Sequence, residues 1–194
     1  CCPEPAQIFS FRYLSNMKQQ IIVIHGGTTF DSYEDYISYL KNKEVSLDKL
    51  KLRKDWKDTL EEELGENFEV LSPRMPNGTN ARYEEWKIWF ERIVPLLNNN
   101  LIFIGHSLGG IFLAKYLSEN EISKKIKATI LVAAPFDDEY SEDSLVDFKL
   151  PASLSKFAQQ SGMIYLIHSK DDSVVPFEQL AKYKQVLPKS ETII

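Results

Sequence analysis

Short segments in which nearly every residue is apolar alternate along this chain with longer segments in which apolar residues recur at helical spacing. The apolar segments predict strands at residues 20–25, 68–71, 101–104, 126–133, 163–168 and 190–194. The helical spacing predicts helices at residues 33–40, 46–64, 81–97, 108–120, 152–159 and 176–187. Strands that are apolar on both faces are typical of a parallel sheet covered by helices on both sides. The pattern therefore predicts one α/β domain with a doubly wound, mostly parallel sheet of five to six strands.

Segment 46–64 differs from the other predicted helices because most of its residues are charged or polar. Helical spacing places four larger apolar side chains on its expected inner face, namely Leu50, Trp56, Leu60 and Leu64. Gly65 is expected to end the helix. We interpret this segment as a surface helix, since charge-rich helices of this kind usually present a solvated face.

Composition and charge exclude several classes of protein. The chain has 194 residues, of which 43% are hydrophobic, and this apolar content excludes intrinsic disorder. The net charge of −5 argues against nucleic acid or an anionic membrane as a partner. No apolar run approaches the roughly 20 residues of a membrane-spanning helix. The expected partner is a small molecule, and a protein partner is left open but not indicated.

The cysteines and the start of the chain bear on its location. Cys1 and Cys2 are adjacent, so the sequence predicts no disulfide framework. Residues 1–16 lack the basic start and apolar centre of a signal peptide, and we interpret them as an artificial or weakly ordered N-terminal extension. Residues 17–194 then form the single domain, which we expect in the cytoplasm. No cluster of Cys and His suggests a metal, and no organic cofactor is expected.

The strongest chemical signal is Gly-His-Ser-Leu-Gly at residues 105–109, which follows a predicted buried strand and opens a predicted helix. In this context Gly-x-Ser-x-Gly is typical of a nucleophile elbow, a strained turn that lifts the serine hydroxyl above the sheet. The flanking glycines leave room for neighbouring backbone. We predict Ser107 as the nucleophile and the Leu108 N–H as an oxyanion donor at the helix N-terminus. A glycine-rich turn with an exposed serine is the alternative.

A second glycine-containing turn follows the first predicted strand, with His-Gly-Gly-Thr at residues 25–28. A His-Gly loop in this place supplies the other oxyanion amide in hydrolases with an elbow of this kind. We predict Gly27 as that donor, because a side chain there would crowd the reacting carbonyl. A phosphate-binding turn or a merely tight turn is the alternative, and the later glycines of a dinucleotide-binding fingerprint are absent.

The third signal is a pair of aspartates between the fifth predicted strand and a helix that starts with Pro176. A catalytic triad needs a carboxylate that orients the base and stabilises its imidazolium. The pattern Asp-x-x-Val-Pro places that carboxylate at Asp172, and Asp171 lies one residue too early. A turn or helix-capping role suits Asp171 better.

Together these segments resemble the α/β-hydrolase superfamily, and within it the small serine hydrolases grouped with retinoblastoma-binding protein nine and the bacterial YdeN type. The resemblance rests on residues 105–109, 74–77, 82–86 and 171–176, and Ala-Ala-Pro-Phe at 133–136 is also similar to that group. It spans about residues 20–187. It implies a minimal α/β-hydrolase fold and hydrolysis of a small carboxylic ester or related acyl substrate through an acyl-enzyme. The charged segment 46–64 departs from the family pattern, and it is interpreted as an insertion that shapes the entrance.

The base of the triad is the open question, because the chain order Ser, Asp, His leaves no histidine after Asp172. His106 precedes the nucleophile, His25 belongs to the oxyanion loop, and His168 is expected to be a packed core residue. The resemblance implies a Gly-His after the last strand, so we expect the chain to be truncated before the catalytic histidine. The alternative is a catalytically impaired hydrolase fold that acts as a binding or interaction module.

Overall fold

A computed structural model describes residues 18–51, 54–139 and 144–194 of the chain. The predicted extension at 1–16, with its two cysteines, lies outside the described residues. The described strands are β1 (Gln19–Ile24), β2 (Phe68–Leu71), β3 (Leu101–His106), β4 (Ile126–Val132), β5 (Met163–Ile167) and β6 (Glu191–Ile193). The described helices are α1 (Tyr33–Asn42), α2 (Trp56–Leu64), α3 (Tyr83–Ile93), α4 (Leu108–Glu119), α5 (Ser155–Gln160) and α6 (Glu178–Val186).

The six strands form one sheet in the order β2-β1-β3-β4-β5-β6, and every neighbouring pair is parallel. This confirms the predicted parallel α/β fold, with the sixth strand in place. The carboxyl ends of the strands lie in register, since Ile24 pairs with Gly105, and Val132 pairs with His106 and Ile167. The loops that leave β1, β3, β4 and β5 therefore meet at one edge of the sheet, where ligands bind in open α/β folds.

One face of the sheet carries most of the core. Helices α3 and α4 pack against it through seven aromatic rings, at Tyr83, Trp86, Phe90, Phe103, Phe112, Tyr116 and Phe148. Trp86 meets Phe148 edge to face at a centroid distance of 5.2 Å, and Phe90 meets Tyr116 in the same way at 4.9 Å. Edge-to-face pairs of this kind are the favoured geometry of aromatic side chains. This core supports the helix that follows residue 107.

The opposite face of the sheet is covered more thinly. Its buried residues are Ile21, Val23 and Ile104, and Leu60 of α2 packs partly buried against them. Residues on one strand alternate between the two faces, so this second set follows directly from the apolar pattern of β1. The expectation of helices on both sides is met, but most of the packed helical surface lies on the other side.

The predicted helix at 46–64 is wrong in its first half. Residues 47–50 form a turn, and Leu50, which was expected to face the core, is 69% exposed. Helix α2 starts only at Trp56, where the N–H of Asp55 donates to the carboxylate of Asp58 at 2.8 Å. This local cap fixes the start of the helix more strongly than the weak apolar spacing before it. Of the four predicted inner residues, only Leu60 packs on the sheet, and Gly65 ends the helix as predicted.

Candidate active site

Ser107 occupies the turn between β3 and α4 with φ 51° and ψ −122°, a conformation that residues other than glycine rarely adopt. Two backbone hydrogen bonds hold this turn: the Ser107 N–H donates to the Val132 carbonyl at 2.9 Å, and the Ser107 carbonyl accepts from the Gly110 N–H at 2.8 Å. The side chain is half-buried, and its Oγ has no hydrogen-bond partner among the described residues. The strained strand-turn-helix geometry is that of a nucleophile elbow.

The glycines beside Ser107 are required by close approach of the backbone. A Cβ on Gly109 would stand 2.3 Å from the Ile24 carbonyl oxygen, and one on Gly105 would stand 2.5 Å from the Gly109 carbonyl oxygen. Because these neighbours are backbone atoms, no side-chain rotation relieves the clash. The start of α4 therefore packs directly on the ends of β1 and β3, as the Gly-x-Ser-x-Gly pattern predicts.

The loop after β1 lies against the elbow. A Cβ on Gly26 would stand 3.1 Å from the Ser107 Cβ, and one on Gly27 would stand 3.1 Å from Leu108 Cδ2 and 2.8 Å from the Gly78 carbonyl oxygen. The amides of Gly27 and Leu108 donate to no acceptor within the described part of the chain. The structure thus brings together all three residues predicted for nucleophile and oxyanion hole, with two amides unpaired beside the serine.

Residues of the 74–77 turn and of α3 pack against the loop that follows β1 and support it. The fully buried Trp86 donates its indole N–H to the Pro76 carbonyl at 2.7 Å and meets the His25 ring edge-on at 5.5 Å. His25 Nε2 accepts the Met75 N–H at 2.9 Å, so the proton of a neutral ring is on Nδ1, which donates to the Gly26 carbonyl at 2.6 Å. Both ring nitrogens are engaged, so His25 positions the loop and is not free to act as a base.

The two candidate acids, Asp171 and Asp172, differ in burial and in hydrogen bonding. Asp171 is exposed and accepts the hydroxyl of Ser169. Asp172 is half-buried, and its Oδ1 accepts the N–H groups of Val174 and Val175 at 2.9 Å each. Its Oδ2 accepts no backbone N–H and stays available to a further donor. Asp172 is thus a fixed, oriented carboxylate, whereas Asp171 is an exposed turn residue.

His168 is packed beside Asp172 rather than beside the nucleophile. Its ring is 3% exposed, and Nε2 lies 2.8 Å from the Val175 carbonyl, so this nitrogen is the donor. The same nitrogen lies 3.8 Å from Asp172 Oδ2, and the ring meets Phe177 edge-on at 5.9 Å. The expectation of a packed, hydrogen-bonded core histidine is met, and the ring supports the loop that carries the acid.

His106 immediately precedes Ser107, and its ring contacts the first residue of α2. The ring of Trp56 meets it edge-on at a centroid distance of 6.1 Å. Burial lowers the pKa of the His106 imidazole, and the ammonium of Lys57 lowers it further, whereas the carboxylates of Asp55 and Asp172 oppose this shift. Asp172 is therefore close enough to act electrostatically on the residue beside Ser107. No sequence pattern predicts the contact with Trp56, which was expected to face the core.

A second residue that sequence reasoning missed is Asp147, in a short 3₁₀ turn after β4. Its Oδ2 accepts the Tyr83 N–H at 3.0 Å and so caps α3 from a distance of 64 residues along the chain. The sequence near α3 contains no pattern that predicts this cap, because a distant segment supplies it. Because α3 carries Trp86, this contact connects the 144–148 segment to the support of the oxyanion loop.

Two general features of the described ranges bear on the chemistry. No three His, Cys, Asp or Glu side chains come together there in a way that would hold a metal ion. Within the same ranges, none of the helices has the length and apolar character needed to cross a membrane.

Comparison with known proteins agrees with this geometry. The ydeN gene product from B. subtilis has a TM-score of 0.61 at 20% identity, over 91% of this chain and 86% of that protein. A YdeN-like hydrolase from Pectobacterium atrosepticum has a TM-score of 0.54 at 16% identity, over 96% and 82%. A structure from a study of carboxylesterases of the thaumarchaeon Nitrososphaera gargenis has a TM-score of 0.57 at 15% identity, over 92% and 81%. These likenesses confirm the α/β-hydrolase fold.

None of the curated protein sequences compared with this chain matches it. The model of one protein family, described as serine hydrolase, matches residues 51–191. This stretch includes the elbow, the 74–77 turn and the loop of Asp172, and it covers more than half of the chain. The chain belongs to the serine hydrolase family.

Proposed function

We propose that this serine hydrolase cleaves a small carboxylic ester or a related acyl compound through an acyl-enzyme on Ser107. The observation that carries the proposal is the strained Ser107 turn at the start of α4, with two unpaired amides from Gly27 and Leu108 beside it. An uncommitted serine hydroxyl next to preorganised N–H donors suits acyl transfer, in which negative charge develops on a carbonyl oxygen.

The reaction follows from these positions. Ser107 Oγ forms a bond to the carbonyl carbon as its proton passes to a base, and the carbonyl electron pair moves to the oxygen. The amides of Gly27 and Leu108 bind that oxyanion. When the carbonyl reforms, the bond to the leaving alcohol breaks and the base returns the proton to it. Water then releases the acid from Ser107 by the same steps, which restores the free hydroxyl.

Asp172 is the proposed acid of this site. Its Oδ1 is fixed by two backbone N–H groups, whereas Oδ2 has room for the N–H of a base. None of the three histidines of the chain hydrogen-bonds Ser107 Oγ. Strand β6 runs parallel to β5, and the backbone N–H of His168 donates to the Ile193 carbonyl at 3.1 Å, so β6 ends beside His168, whose ring lies 3.8 Å from Asp172 Oδ2.

The proposed base is a histidine in residues that follow Ile194, which would enter the site at this edge. The resemblance to the family implies a Gly-His within roughly ten residues. The sequence of the parent gene tests this directly. A Gly-His codon pair just downstream supports the proposal, and a stop codon directly after Ile194 contradicts it.

A fluorophosphonate probe tests the nucleophile, because it phosphonylates activated serines. We expect the full-length protein to be labelled on Ser107 and the Ser107→Ala variant to lose labelling and about 10⁶-fold in kcat. Ser153→Ala, at an exposed loop serine, is the matched control and should label like the wild type. Absence of labelling of the full-length protein would contradict the proposal and favour a binding module on the same fold.

A further inference from the structure

The N-terminal turn of α2 places an aromatic ring close to the nucleophile. A Cβ on Gly26 would stand 3.1 Å from the Ser107 Cβ and 3.4 Å from His106 Nδ1, so the serine and the imidazole flank the same glycine. The ring of Trp56 meets that imidazole edge-on, with an interplanar angle of 80°. The indole of Trp56 therefore contacts the side chain that immediately precedes Ser107 in the chain.

This pair of nearly perpendicular rings carries no net charge of its own. Trp56 is 40% exposed, and the ammonium of Lys57 lies 4.9 Å from its ring centroid. The same ammonium forms an ion pair with Asp55, which offsets its charge locally. His106 is half-buried, and its lowered pKa favours the uncharged imidazole at neutral pH. The exposed part of the indole is left for an apolar contact.

Packing does not account for Trp56. Helix α2 buries none of its residues, and its attachment to the sheet runs through Leu60. Trp89 on α3 is exposed to nearly the same extent, 41%, but it contacts no other ring among the described residues. The two tryptophans share size and exposure and differ in position, because only Trp56 stands beside the residue that precedes the nucleophile.

We propose that Trp56 determines specificity, and that with His106 it forms an aromatic wall that binds an aryl or similarly flat apolar group of an ester held at Ser107. This inference rests on the proposed function. Trp56 is the partner of such a group because aromatic faces and edges attract one another and because the indole offers a large apolar area. An anionic or strongly polar group gains nothing from this surface.

Two pairs of esters test the wall in the full-length protein. Phenyl acetate and ethyl acetate share the acyl group, and methyl benzoate and methyl acetate share the alcohol. For each pair, kcat/KM for the aryl ester is divided by kcat/KM for the alkyl ester. We expect Trp56→Ala to lower this ratio by about 2- to 10-fold in one of the two pairs. Trp56→Phe should restore most of the ratio, and the control Trp89→Ala should leave it unchanged. Equal ratios for Trp56→Ala and Trp89→Ala in both pairs would overturn the proposal.

A binding measurement separates this proposal from the proposed function. Phenyl acetate is titrated into the Ser107→Ala variant with and without Trp56→Ala, and binding is followed by NMR without turnover. Weaker binding caused only by loss of Trp56 supports the wall whether or not the esters are hydrolysed. Unchanged binding overturns it. Failure of fluorophosphonate labelling, by contrast, counts against the nucleophile and not against the wall.

Discussion

The two faces of the sheet differ sharply in how much they bury. On one face, α4 buries nine of its 12 residues, and α3 adds Tyr83, Trp86 and Phe90. On the other face, α2 buries none of its residues, and Leu60 provides a partly buried contact with the sheet. The same strands supply both faces, so the difference lies in the helices.

Because of this difference, some residues of the site lie on densely packed elements and others lie on thinly covered ones. The proposed reactive groups are connected to the packed face: Ser107 precedes α4, and Asp172 precedes α6, whose Tyr183 is 1% exposed. The buried Trp86 packs against the loop of Gly27. The sparse face contributes Trp56, which contacts His106 and for which we propose a role in substrate specificity. Catalytic geometry must be held to fractions of an ångström, so it belongs on rigid elements, whereas an entrance tolerates change. Variants on the two faces should therefore behave differently.

Among the variants that compare the two faces, the largest expected effect is on activity, at the proposed acid Asp172. Asp172→Asn keeps an Oδ1 that accepts from Val174 and Val175, but it replaces Oδ2 with a donor that cannot orient a histidine. We expect kcat for phenyl acetate hydrolysis by the full-length protein to fall about 10³- to 10⁴-fold. Asp171→Asn is the matched control and should change kcat less than about threefold. A larger loss at Asp171 than at Asp172 would reverse the assignment.

The next effect is on stability, at Trp86. Its side chain is fully buried among Phe112, Phe148 and His25, and it donates a hydrogen bond to Pro76. Trp86→Ala should lower the free energy of unfolding by about 3–5 kcal/mol, as measured by urea denaturation. The exposed Trp89→Ala should change it by less than about 0.5 kcal/mol. Similar losses for both tryptophans would show that the packed face is not the source of stability.

The same contrast explains which parts of the fold could be predicted from sequence. Buried parallel strands are apolar on both faces, so all six were found, with bounds that differ from the observed ones by a few residues. The helices of the packed face carry strong periodicity and were also found. The predicted helix at 46–64 was wrong over residues 46–51 and 54–55, because a weakly buried segment leaves the start of the helix to local capping at Asp55.

At the site, the residues that could be predicted from sequence are those whose identity the backbone geometry requires. The close approaches at Gly105, Gly109 and Gly27 leave no room for a side chain, so glycine and serine appear there in a fixed pattern. Contacts between segments distant in sequence carry no such pattern. The position of Trp56 against His106 and the cap from Asp147 depend on tertiary packing, and they emerged only from the structure.

A smaller effect on stability compares the caps of two helices that differ in burial, α3 with three buried residues and α1 with none. Asp147 Oδ2 caps α3 on the packed face, and Ser32 Oγ caps α1 by accepting the Asp35 N–H at 3.1 Å. Asp147→Ala should lower the free energy of unfolding by about 1 kcal/mol, because α3 unfolds together with the core. Asp147 Oδ1 is buried without a partner, and its removal limits the loss. Ser32→Ala should cost less in global unfolding and show instead as faster amide exchange within α1. A larger global loss for Ser32→Ala would place α1 in the cooperative core.

The smallest expected effect on stability is at Trp56. Because α2 buries no residue, Trp56→Ala should change the free energy of unfolding by less than about 0.5 kcal/mol in urea denaturation. It should nevertheless raise the pKa of His106 toward its ordinary value, since burial is the main cause of the lowered pKa and the indole is part of that burial. NMR titration of the His106 imidazole measures this shift, and Trp89→Ala should leave it unchanged. A loss of stability as large as that of Trp86→Ala would mean that the sparse face is structural. An unchanged His106 titration would remove Trp56 from the surroundings of the nucleophile.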